Sequence, residues 1–117
     1  MWFVLATVIG CAETWKGDWD GECMVDGDRI PVELDLSSDA FGILQGELTF
    51  EDRVDSYDAD IEGSRSGDKL EIEFLLEMEH RAYIGLGEGE VDDDEMELSI
   101  VFTGAEYETE ASCLLES

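Results

Sequence analysis

At 117 residues the chain is long enough for one domain with a single modest core, and its 44% hydrophobic content is enough to build that core. Thirty-two Asp and Glu against six Lys and Arg give a formal charge of −26, which excludes nucleic acid as a partner, because phosphate binding needs a basic face. A linker or low-complexity chain is excluded by the single Pro and the lack of any Ser/Pro-rich tract. The acids also alternate with apolar residues, as in Val32-Glu33-Leu34-Asp35-Leu36 and Leu70-Glu71-Ile72-Glu73-Phe74, which a disordered acidic tail would not do. They read as the solvated outer face of a sheet, suited to a saline medium or to weak capture of divalent cations.

Residues 1–10 (MWFVLATVIG) are apolar, end in small residues and precede Cys11. A stretch of that length cannot span a hydrocarbon core, which needs about 20 residues. Val8-Ile9-Gly10-Cys11 resembles the lipobox of bacterial lipoproteins. The resemblance implies a signal-peptide-like segment over 1–10, lipidation of Cys11 and a short tether over 11–16. It also implies a monomer anchored in the cell envelope, with Ala12 pointing to outer-membrane sorting. The alternative is an ordinary apolar core segment in a cytoplasmic protein. With Cys11 taken by lipid, Cys23 and Cys113 remain as an even pair. In an oxidising compartment they would bridge and stabilise the chain by about 4–5 kcal/mol in the loop-entropy picture; in a reducing one they would be two buried thiols.

From residue 17 onward the apolar pattern has period two, and no window keeps a 3.6-residue period for three turns. The first strand spans 17–25, with Trp19, Gly21, Cys23 and Val25 on one face. Asp26-Gly27 is a hairpin turn, since that dipeptide tolerates positive φ. The second strand, 30–36, points Ile30, Val32, Leu34 and Leu36 inward, and Ser37-Ser38-Asp39 turns the chain. The third, 42–50, buries Leu44, Gly46, Leu48 and Phe50. The fourth, 57–65, buries Tyr57, Ala59, Ile61 and Gly63. After Ser66-Gly67-Asp68, the fifth strand, 69–76, buries Leu70, Ile72, Phe74 and Leu76. The sixth, 81–87, offers Ala82, Ile84 and Leu86 to one face and Tyr83 and Gly85 to the other, and 88–94 is an acidic loop. The seventh, 95–103, buries Met96, Leu98, Ile100 and Phe102. The eighth, 106–115, turns Tyr107, Thr109, Ala111, Cys113 and Leu115 inward.

Eight short strands in up-and-down order would leave two edges, and an open edge invites aggregation. Eight is also about the number whose closed interior is just filled by side chains. The sequence therefore predicts an all-β, single eight-stranded antiparallel barrel over 17–117, with a β-sandwich as the alternative. Closure would bring Cys23 beside Cys113. Gly17-Asp18-Trp19, a Gly-x-Trp opening the first strand, resembles the signature of the calycins (lipocalins, avidins and their relatives). That resemblance implies an open-mouthed barrel carrying one small hydrophobic ligand.

No nucleophilic triad is present around the single His80, and no residue is assigned a catalytic role. Asp58-Ala59-Asp60-Ile61-Glu62-Gly63 mimics the start of a calcium loop, but Lys69 stands where the closing Glu belongs. Glu88, Glu90, Asp92, Asp93, Asp94 and Glu95 are the better candidates for loose Ca²⁺ capture. Meander topology gathers Arg29, Arg53, His80 and Arg81 at the mouth far from the tether. The interior aromatics Trp19, Phe50, Tyr57, Phe74, Phe102 and Tyr107 are expected to fill the barrel, and any cavity left among them would favour an apolar ligand. The expected role is a non-enzymatic, envelope-anchored binding or structural module. The alternatives are a calycin-like carrier and an accessory subunit docking a basic protein partner.

Overall fold

The computed structural model describes residues 15–51, 55–78 and 81–117. These form eight strands: β1 (Trp15–Val25), β2 (Asp28–Ser38), β3 (Ile43–Glu51), β4 (Ser56–Ser66), β5 (Lys69–Met78), β6 (Arg81–Asp92), β7 (Glu95–Thr103) and β8 (Glu108–Glu116). Each pairs antiparallel with its neighbours in sequence, and β8 returns to β1, so the sheet closes into an up-and-down barrel. Asp26 (φ 50°) and Gly27 (φ 86°) both adopt the left-handed conformation that a two-residue hairpin demands.

The seam runs over six residue pairs, from Asp20↔Glu116 to Val25↔Ala111. At its centre Cys23 lies opposite Cys113, and the two are joined by a disulfide. The parity of the alternation puts both sulfurs inside, where they are buried with the core.

Below the middle of the barrel the interior is occupied by buried apolar side chains. Leu34, Leu36, Leu44, Leu48, Met96, Ile100 and Leu115 are almost fully buried. Trp19 is buried too, and its indole nitrogen would stand 3.1 Å from a Cβ added at Gly17, a tight contact. The Gly-x-Trp spacing thus has a steric side: residues two apart share a face of the strand, and glycine leaves room for the ring to fold back.

Three sequence expectations are corrected. The predicted acidic loop at 88–94 is mostly strand, because β6 continues to Asp92. Its inward positions are Gly85, Gly87 and Gly89, and large neighbours occupy the space they leave: Phe74 covers Gly85, Ile72 covers Gly87, and Leu98 and Leu70 approach Gly89. Ser37 and Ser38 belong to β2, and the chain turns instead at 39–42 around Asp39, whose carboxylate accepts from the backbone N–H of Phe41 (2.8 Å) and Ile43 (2.9 Å). Tyr107 precedes β8 and is 44% exposed, because the backbone N–H of Gly104 donates to the Tyr107 carbonyl (2.7 Å) and closes a turn there.

Every described Asp and Glu is exposed, so the acids clothe the outside of an apolar interior. This is the inverse of a membrane-spanning barrel, whose outward residues form an apolar band. The register sets like charges side by side: Asp18, Asp35, Glu47 and Asp60 stand in one row across β1 to β4. Directly opposed like charges destabilise a sheet. Asp35→Asn, which relieves two of these contacts, is expected to raise Tm by about 2–5 °C at low salt. In 1 M NaCl, where the Debye length is about 3 Å, the wild-type Tm rises and the mutant's advantage shrinks. Equal melting of the wild-type protein at both salt levels would show that the wall carries no electrostatic strain.

Candidate functional site

The turns that join β1 to β2 and β7 to β8, together with the ends of β3 and β5, lie at one end of the barrel, the end away from Trp15. Here the strands outlast their ladders. The β4–β5 pairing stops at Ile61↔Phe74, while the two strands run on past Tyr57 and Leu76, each held there only by its other neighbour. At these strand ends lies a cup of about 330 Å³. Val25, Ile30 and Leu76 form its aliphatic wall, and Tyr57, Tyr83 and Tyr107 its aromatic one. Phe50 and Phe102 lie at its base, and Arg81 and Thr109 complete the lining.

The two floor rings, Phe50 and Phe102, pack against a third, Phe74. Phe50, Phe74 and Phe102 sit with centroids 5.7–6.3 Å apart in tilted or edge-on contacts, the preferred geometry for aromatic pairs. Gly85 lies between Phe74 and Phe102 in the sheet, opposite both. A side chain there would overlap the Phe74 ring, so the glycine is what makes room for that ring. Of the predicted interior aromatics, Trp19, Phe50, Phe74 and Phe102 are buried in the core, whereas Tyr57 and Tyr107 line the cup above them.

The rim is fixed across the seam. The Tyr107 hydroxyl and the Thr109 hydroxyl each donate to the Asp26 carboxylate at 2.8 Å, tying the β7–β8 connection to the β1–β2 turn. The Tyr107 ring meets that of Tyr83 edge-on at 5.7 Å. The Tyr107 and Thr109 hydroxyls hold the Asp26 carboxyl below the usual carboxylate range, and the Asp26 carboxylate pushes the Tyr107 phenol up.

Of the four mouth residues read from the sequence, Arg81 lines the cup, whereas Arg29 is at the same end on the outer wall opposite Met24. Arg53 and His80 lie outside the described residues, as does Cys11. Glu88, Glu90, Asp92, Asp93, Asp94 and Glu95 are spread along the end of β6, its turn and the start of β7. Among the described residues no three acidic, His or Cys side chains gather closely enough to hold a metal ion. Meander topology also places Asp26 at this mouth, but its bonds to Tyr107 and Thr109 were not foreseen from the sequence. The signal for them was its place in the turn nearest the end of the seam, which only the register with β8 reveals. Sequence reasoning also left the face of β6 open: Ile84 and Leu86 point outward, where Leu75 and Val101 stand opposite them and form an apolar strip in the acidic wall.

Fold and site together define a small acidic up-and-down barrel with a one-ended aromatic cup, an architecture compatible with a calycin-like fold. Compared with models of protein families, with curated proteins and with solved structures, the chain matches none.

The Tyr107–Asp26 bond has a defined pH window. Asp26 ionises more readily folded than unfolded, so its contribution is present above the usual Asp range and is lost as pH falls through the lowered value. The same bond favours protonated Tyr107, a contribution present below the usual tyrosine range and lost as pH rises through the raised value. In an alkaline absorbance titration of the three tyrosines, Asp26→Asn is expected to bring one ionisation to lower pH. Superimposable curves would mean that the bond does not form in solution.

Proposed function

We propose that this protein is a non-enzymatic binding barrel that holds one small, largely apolar molecule in the cup above the Phe50–Phe102 floor. The observation that carries the reading is the cup itself. Its volume of about 330 Å³ is at the lower bound of small-molecule sites, about 300–1,000 Å³, and is about that of ten waters. Its lining follows the usual pattern of such sites, hydrophobic and aromatic with a few placed polar groups. The rim is preorganised by the hydrogen bonds to Asp26, so little ordering is left for a ligand to impose. A structural role alone gives no reason for the barrel to stop filling at its mouth.

A neutral probe of suitable size, 2-phenylethanol, is expected to shift the NMR signals of Phe50, Tyr83 and Phe102 at millimolar concentration. It should also raise Tm by mass action. Ile30→Trp, which places a large ring at a half-buried position of the lining, should abolish both effects. Shifts confined to the outer wall, or unaffected by Ile30→Trp, would contradict the reading.

The envelope-anchored setting is part of the same proposal and rests on Val8-Ile9-Gly10-Cys11. The Cys23–Cys113 disulfide supports it, because such bonds persist in oxidising compartments. An intact mass of protein made in a bacterial host should show cleavage before Cys11 and an added acyl mass. An uncleaved, unmodified chain would refute the anchor and leave the binding reading untouched.

A further inference from the structure

We propose that the cup selects an organic cation, a small molecule with a flat apolar body and a single amine or quaternary ammonium group. The inference rests on the binding-barrel reading and adds the chemical class of the ligand.

Three independent features point to it. The upper wall of the cup presents the rings of Tyr57, Tyr83 and Tyr107, and aromatic faces attract a cation within about 6 Å of their centroids. The Asp26 carboxylate is fixed at the rim by two residues that themselves line the cup, each hydroxyl 2.8 Å away, so a full negative charge stands where the polar end of a bound molecule would emerge. The bond from Tyr107 to that carboxylate also makes its phenol ring richer in electrons and a better partner for a cation. Finally, the chain carries a formal −26 and every described Asp and Glu is exposed, a field that concentrates cations and repels anions.

Arg81 lines the same cup and, with Arg29 on the outer wall at that end, opposes the proposal. The two are outnumbered there. Asp26 and Asp28 flank the β1–β2 turn, and Glu51, Asp55 and Glu77 stand at the mouth ends of β3, β4 and β5. An anion would have to be held by Arg81 within this ring of carboxylates, whereas a cation meets carboxylate and π-face together.

The test compares three probes with one phenyl body: 2-phenylethylammonium, 2-phenylethanol and 3-phenylpropanoate, each titrated by NMR at low salt. The ammonium is expected to bind at least tenfold more tightly than the alcohol, and the carboxylate more weakly than both. Asp26→Asn keeps the turn, since Asn also tolerates positive φ. It should cut ammonium affinity at least threefold more than it cuts alcohol affinity, since any loosening of the rim acts on both probes. Equal binding of ammonium and alcohol, or ammonium binding that survives Asp26→Asn unchanged, would overturn the cation preference and leave the binding barrel standing. Tightest binding of the carboxylate would reverse the preference and assign the site to Arg81. Failure of all three to bind would overturn both readings.

Discussion

Six residue pairs between β1 and β8 separate this barrel from an open eight-stranded sheet. A sheet with two free edges would present unpaired backbone groups to any neighbouring chain, and closure removes them altogether. The same six pairs put Cys23 beside Cys113 and bring the Asp26 turn within reach of Tyr107 and Thr109. The seam is thus fastened twice, covalently in the core and by hydrogen bonds at the rim. A chain whose outer face carries so many opposed carboxylates has particular need of both, since mutual repulsion favours any expansion of the wall.

The cup follows from how the interior is filled. Buried leucine, isoleucine and methionine occupy the lower barrel, and the three phenylalanines pack together above them. Above the rings β4 and β5 no longer pair with each other, and the inward side chains line the cup. The aromatic residues serve two ends at once: their lower faces complete the core and their upper faces form a surface that a ligand can touch.

Strand order and inward parity were legible in the sequence because nearly every strand alternates an acid with an apolar residue. Leu34 beside Asp35 or Ile72 beside Glu73 can be placed by period alone. The β6 segment was not, because its inward residues are Gly85, Gly87 and Gly89 and carry no hydrophobic mark; what keeps them in the sheet is the bulk of Phe74, Ile72 and Leu98 on the strands beside them. Tyr107 has inward parity by alternation but leaves the strand to bond Asp26, a contact between residues 81 positions apart. The cup depends on where ladders end and how rings tilt, and neither leaves a trace in one-dimensional periodicity. Gly17 and Trp19, by contrast, were recognisable as a pair, and the indole lying over the glycine supplies the reason.

Interstrand NOEs across the seam test the closed barrel most directly. In the oxidised protein, Cys23 should show contacts to Cys113, and Gly21 to Leu115, with β1 and β8 amides exchanging as slowly as those of β3 and β4. Missing contacts and fast exchange along β1 and β8 would mean an open sheet, and neither the fastened rim nor the cup could then exist as described.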